Sequence, residues 1–124
     1  MKLFIELHVD EVEKSLKFYR DAIGMNVVRS SPGYTELHLG EAKISLCPFS
    51  NLNKGHYLQE VPNDRFGNRV EFCLEVENLE ELYERVKEHG IAIKESLGVR
   101  PWGRTDFRII DPNGVYLRIT SPAP

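Results

Sequence analysis

Two short strings, Glu6-Leu7-His8 and Glu36-Leu37-His38, share one pattern: a carboxylate and an imidazole two residues apart. On an extended strand that spacing puts both side chains on one face. Two such pairs on nearby strands make a ligand set of the right chemistry for a divalent metal. Farther along, Glu71, Cys73 and Glu75 alternate with apolar residues. Cys73 as a nucleophile would need a base and an electropositive setting, and two flanking carboxylates supply the opposite. The stretch Arg100-Pro101-Trp102-Gly103-Arg104, with Arg108 close behind, sets three arginines near the chain's one tryptophan. That combination suits a planar or partly charged small molecule, held by stacking and charge-assisted hydrogen bonds. Trp102 suits an anchor between two chains equally well. Residues 98–104 lack the spacing and following helix of a phosphate loop, and no Ser-His-Asp order or dinucleotide fingerprint is present.

The elements that position these groups come in two similar sets. Residues 4–9 alternate, with Ile5, Leu7 and Val9 on one face and Phe4, Glu6 and His8 on the other. Val12, Leu16, Tyr19 and Ile23 then form one stripe of an amphipathic helix, with Glu11 and Glu13 at its positive end and Gly24 closing it. The second half repeats this order. Val70, Phe72, Leu74 and Val76 alternate with Glu71, Cys73 and Glu75; Asn78 is a suitable N-cap; Leu79, Leu82, Tyr83 and Val86 make the stripe; Gly90 ends it. Aligning Val9 with Val76 lays Phe4 on Glu71, Glu6 on Cys73 and His8 on Glu75. Strands are predicted at 25–29, 34–39 and 42–47, and again at 91–95, 105–110 and 115–120, with Asp111-Pro112-Asn113-Gly114 as a strong turn.

The spacing thus predicts an α+β fold of one domain spanning 1–124: a β-α-β-β-β module at 1–47, a polar linker at 48–68 and a second module at 69–121. The linker lacks clear periodicity and is long for a surface crossing, which suits a lid or a partner-contacting arm. Two curved sheets side by side would line a trough with Glu6, His8, Glu36, His38, Lys43 and Ser45 from one module. The other would add Glu71, Cys73, Glu75, Asp106, Arg108, Tyr116 and Arg118.

Composition narrows the classes. The 124 residues carry 16 Lys+Arg against 19 Asp+Glu, a formal charge of −3, which excludes broad electrostatic docking onto nucleic acid. No apolar run approaches the ~20 residues of a membrane span, and the N-terminus runs straight into a strand pattern rather than a signal peptide. Cys47 and Cys73 cannot form a disulfide scaffold; both are expected as buried free thiols in a reducing compartment, hence a cytoplasmic protein.

The stretch LHVDEVEKSLKFYRDAIGMNVV, and in the second half FCLEVENLEELYERVKEHGI followed by PWGRTDFRIIDPNGVYLRIT, resembles the vicinal oxygen chelate superfamily. That group includes glyoxalase I, bleomycin-resistance proteins, thiol-transferring fosfomycin-resistance proteins and extradiol dioxygenases. Pro-Trp-Gly, Asp-Phe-Arg and Asp-Pro-Asn-Gly bring it nearest to the bleomycin-resistance-like branch. The resemblance implies paired U-shaped sheets and a homodimer whose cavities are made by both chains. It also implies a metal site in the family's enzymes, with His or Glu ligands on the first and last strand of each module. Those positions fall on Phe4, Glu71, approximately Ser45, and Arg118 in this chain. Of these Glu71 alone has ligand chemistry, and a guanidinium repels a cation. Glu71 and Arg118 are expected as a salt bridge on neighbouring strands.

The reading that follows is a glyoxalase-like, metal-independent protein binding an antibiotic or metabolite, with no cofactor. Trp102, Arg100, Arg108 and Arg118 are the expected ligand contacts, joined by Glu71, Tyr116, His38 and Glu6. The alternative is a metal-dependent lyase, isomerase or thiol transferase of the glyoxalase type, where a divalent metal acts as Lewis acid. His8, His38, Glu36 and Glu71 are its candidate displaced ligands. A third reading is an interaction module with vestigial binding.

Overall fold

Alternation in residues 5–9 and helical spacing just after them give the first two elements their form. The structure, a computed structural model, describes residues 1–60 and 69–123. The first module runs β1 (Ile5–Val9), α1, β2 (Asn26–Ser31), β3 (Tyr34–Leu39) and β4 (Ala42–Pro48). Within α1, an α-helical turn at Val12–Leu16 continues as π-helix over Lys17–Ala22. A 3-10 turn at Phe49–Asn51 and a short α2 (Tyr57–Glu60) follow; residues 61–68 of the expected linker lie outside the described residues. The second module runs β5 (Glu71–Glu75), α3 (Leu79–Glu88), β6 (Ile93–Val99), β7 (Thr105–Ile110) and β8 (Tyr116–Thr120).

Two four-stranded sheets result, ordered β1-β4-β3-β2 and β5-β8-β7-β6. The first strand of each pairs in parallel with the last, and the other ladders are antiparallel. The α+β architecture of two mixed sheets is the one the sequence predicts. Leu37, Ile44 and Leu46 of the first sheet share a single buried cluster with Phe107, Ile109, Leu117 and Ile119 of the second. The two main helices fill it with Leu16, Phe18, Tyr19 and Ile23 from α1 and Leu79, Leu82 and Val86 from α3. Among the described residues no helix is long and apolar enough to cross a membrane.

The interval from Val9 to Gly24 is one residue longer than that from Val76 to Gly90. The surplus is taken up inside α1. Ile23 N donates to Phe18 O at 2.9 Å, and Met25 N reaches back six residues to Tyr19 O at 2.9 Å. At the matching place in α3, Ile91 N reaches back five, to Val86 O at 3.2 Å. Such an insertion widens the turn and rotates the faces on either side of it. Phe18 and Tyr19 are therefore both buried, although a regular period predicts Tyr19 alone. Asn78 does sit at the N-cap of α3, yet its side chain makes no capping bond; its carbonyl accepts from Leu82 N instead.

Polar groups tie the modules together. The Tyr19 hydroxyl donates to Asp111 Oδ2 at 2.6 Å, and Asp111 Oδ1 accepts from the backbone nitrogens of Asn113 and Val115 at 2.8 Å each. Burial, then the Asp111 charge, pushes the Tyr19 phenol far up, so it remains a donor. Asn113 reaches Ser15 Oγ at 3.1 Å and accepts from Asp10 N at 3.2 Å. In the opposite direction, Arg85 donates from Nε to Ala22 O and from Nη2 to Ile23 O, both at 2.8 Å, capping the end of α1. Gly24 follows at φ +95°, and a Cβ there would lie 2.6 Å from Arg85 Nη2.

Two outcomes follow for stability. Tyr19→Phe strands a buried carboxylate oxygen and is expected to cost about 1–3 kcal/mol in chemical denaturation. Gly24→Ala pays both for its backbone conformation, about 1–2 kcal/mol, and for the displaced Arg85. Its cost, read from thermal melts, is therefore expected to be smaller in an Arg85→Ala background than in the parent chain.

Candidate functional site

The outer face of the second sheet carries the densest set of charged groups. Inward Phe107, Ile109, Leu117 and Ile119 leave the alternate positions of β5, β7 and β8 facing away from the core. One row of the ladder runs Cys73, Arg118, Arg108, Glu95, each residue opposite the next. Glu71 lies opposite Tyr116, and Asp106 opposite Thr120.

Arg118 sends Nη2 to the Cys73 sulfur at 3.0 Å and holds Nε 3.6 Å from Glu71 Oε1, which is the expected Glu71–Arg118 pair. The Cys73 sulfur and then Glu71 favour the charged form of Arg118, against its partial burial. Cys73 itself is exposed, which corrects the expectation of a buried thiol. It alternates outward from edge strand β5, opposite Arg118. Cys47 is partly buried, and burial followed by the Glu6 charge pushes its thiol up.

The three arginines near Trp102 have different fates. Arg100 binds Asp106 Oδ1 at 2.6 Å, Glu95 at 3.3 Å and Ser96 O at 2.7 Å. Arg104 donates to Ser121 O at 2.7 Å and lies 3.4 Å from Glu75. These two fasten the loop between β6 and β7. Arg108 alone reaches Trp102, with Cζ 6.0 Å from the ring centroid. Asp106 beneath is fully buried, whereas Trp102 keeps 55% of its surface exposed.

The first sheet carries a separate network. Ser45 Oγ donates to Tyr34 Oη at 2.9 Å, Tyr34 donates to Glu36 Oε1 at 3.1 Å, and His38 Nε2 sits 2.9 Å from Glu36 Oε2. Burial alone would raise the Glu36 carboxyl; the Tyr34 hydroxyl, then His38 and Arg29, outweigh it and hold Glu36 below its usual range. Tyr34 belongs to the same outward series as Glu36 and His38, and that alternation was the signal that could have added it.

Between the modules runs a groove of about 670 Å³, lined by Glu6 and His8 from β1, Phe72 and Tyr116 from the second module, and Phe49 and Leu58 from the connecting segment. His8 Nδ1 is buried there without a hydrogen-bond partner, and its ring lies 6.3 Å from that of His56. No periodic signal in the linker pointed to Phe49, His56 or Leu58.

The predicted contacts thus divide among three places. Trp102, Arg100, Arg108, Arg118, Glu71 and Tyr116 gather on the second sheet; His38 is on the first; Glu6 is in the groove, which Tyr116 also reaches. Of the displaced metal set, Glu36 and His38 meet, while His8 and Glu71 lie elsewhere. Among the described residues no three His, Cys, Asp or Glu side chains gather to hold a metal. The positions that the resemblance assigns to ligands do not fit one either. Phe4 offers hydrocarbon, Ser45 gives its hydroxyl to Tyr34, and Arg118 is a cation already paired with Glu71.

A bleomycin resistance protein of Geobacillus stearothermophilus is 31% identical over 113 residues, covering 86% of each chain. Glyoxalase 1 of Caenorhabditis briggsae is 28% identical over 109 residues, which is 87% of this chain and 37% of that one. The crystal structure of TioX from Micromonospora sp. ML1 superposes with a TM-score of 0.75 at 15% identity, covering 100% of this chain and 98% of that one. The family model described as Glyoxalase/Bleomycin resistance protein/Dioxygenase superfamily matches residues 3–119. By its sequence and by the fold built above, the chain belongs to the glyoxalase/bleomycin resistance protein/dioxygenase superfamily.

Proposed function

We propose that this chain binds a small organic molecule without a metal, on the outer face of its second sheet, and works as a homodimer. The observation that carries the reading is the Glu71–Arg118 ion pair, 3.6 Å apart. The resemblance puts metal ligands at both positions, and here the one carboxylate is engaged by a guanidinium. Phe4 and Ser45 supply no replacement, so the set falls short of the three or so protein ligands a catalytic metal takes. The relatives named as bleomycin resistance proteins support a binding role. Bleomycin itself is cationic, and two arginines at the centre of this face turn the reading toward an anionic or aromatic compound.

The homodimer is supported by surface that one chain leaves open. Trp102 is 55% exposed, Phe4 56% and Val70 54%, all beside the outer faces or the groove. Large aromatics left exposed on a folded chain are typical anchors of a partner contact.

Metal analysis of protein purified without chelators is expected to find substoichiometric zinc, nickel, manganese and iron, with no turnover of a hemithioacetal. Stoichiometric metal together with turnover would overturn the reading in favour of a glyoxalase-type enzyme. Trp102→Ala is expected to weaken ligand binding or dimerisation by about 2 kcal/mol or more, the scale of a buried aromatic anchor. Sedimentation equilibrium and ligand titration measure the two effects; if neither changes, Trp102 leaves the site.

A further inference from the structure

Among the described residues, Arg108 holds the longest of the ion pairs on the second sheet. Arg100 holds Asp106 at 2.6 Å and Glu95 at 3.3 Å, Arg104 has Glu75 at 3.4 Å, and Arg118 has Glu71 at 3.6 Å. Arg108 lies 3.8 Å from Asp106 Oδ2, on a carboxylate whose other oxygen Arg100 already binds, and the Tyr116 hydroxyl, then Asp106 and Glu71, favour its charged form against partial burial. The Arg108 side chain is 16% exposed, and its Nε is buried without an acceptor. Directly across the β7–β8 ladder, Arg118 Nε is also buried and lacks a hydrogen bond. Like charges placed opposite each other in a sheet repel, and half-buried guanidiniums with unfilled donors are costly.

An anion with two oxygens in one plane, set over this pair, relieves both costs. A guanidinium presents a planar fork that matches a carboxylate. The surrounding carboxylates Glu71, Glu95 and Asp106 favour a single negative charge over a dianion. The open ring of Trp102, 6.0 Å from Arg108 Cζ, offers a stacking surface beside the fork. We propose that Arg108 and Arg118 together receive the carboxylate of an aromatic monoacid whose ring lies on Trp102. This rests on the binding role proposed above and names the ligand class for that same face.

Trp102 is the chain's one tryptophan, so its fluorescence reports occupancy directly. The probes are 4-nitrobenzoate, an aromatic carboxylate that quenches indole, and the neutral 4-nitrobenzamide. Saturable quenching is expected, at least about tenfold tighter for the carboxylate, the weight of one charge-assisted contact. Arg108→Gln is expected to erase the preference for the carboxylate. Equal affinities in the parent chain, a preference that survives Arg108→Gln, or no saturable quenching by either probe would each overturn the carboxylate assignment. Equal affinities would leave the binding face itself standing, whereas metal occupancy with turnover would remove that face's role by a separate route. Should Arg108→Gln fail to fold, the parent chain provides a second measurement. Cys73 is the ladder partner of Arg118, so 4-nitrobenzoate is expected to slow its alkylation by iodoacetamide, with Cys47 as internal reference. Equal protection of Cys73 by 4-nitrobenzamide, or no protection, would overturn the proposal.

Discussion

The hydrogen bond from Tyr19 to Asp111, 2.6 Å long and buried, is the constraint on which the rest of the molecule depends. It fastens the helix of the first module to the last turn of the second. Asp111 also fixes that turn through the backbone nitrogens of Asn113 and Val115. Asn113 in turn reaches the first turn of α1 through Ser15. With Arg85 capping the other end of α1, one helix is held at both ends by the opposite module. The apolar cluster is continuous across both halves for the same reason. Once the helices are locked face to face, each sheet has one side committed to the core and its other side turned away. The charged and polar strand residues occupy those outward sides because alternation leaves them nowhere else to go.

Much of this was legible in the residues. Alternation at 70–76 and 105–110 assigned Glu71, Cys73, Asp106, Arg108 and their neighbours to the face away from the core, and strand β7 begins and ends where expected. The Glu71–Arg118 pairing was anticipated through the family resemblance, which implies that the first and last strands of a module share one site; the structure puts the two residues on adjacent strands. The fate of each long side chain on that face was not. Arg100, Arg104 and Arg108 look equivalent as a sequence of spaced arginines. Register separates them: Arg100 and Arg104 stand at the ends of a tight loop and bond to groups outside it, Ser96 and Asp106 for the one and Ser121 and Glu75 for the other, while Arg108 faces Arg118 across a ladder. Period tells which face a residue joins, and only register tells what it meets there.

The same limit explains the first module. The paired Glu-His strings invite one metal site, yet β4 lies between the strands that carry them. Glu36 is satisfied along its own strand by Tyr34 and His38, and His8 faces the groove between modules. A repeat in sequence thus gave two environments in space. The surplus residue in α1 was equally hidden: composition is silent about a π-turn, and only the mismatch between two nearly identical intervals betrays it.

The two fastenings between the modules run in opposite directions. The first module supplies the donor at Tyr19, and the second supplies the donors at Arg85. A chain made from its N-terminus therefore has its first helix finished before any of its partners exist. Until residues 85 and 111 have been synthesised, the Tyr19 hydroxyl and the carbonyls of Ala22 and Ile23 find only water. The apolar stripe beside them has no opposing helix. Duplicated halves of one architecture risk pairing like with like during synthesis; here each half lacks the group that its own copy would need. The asymmetry that spoils the internal repeat thus makes each half depend on the other for these bonds.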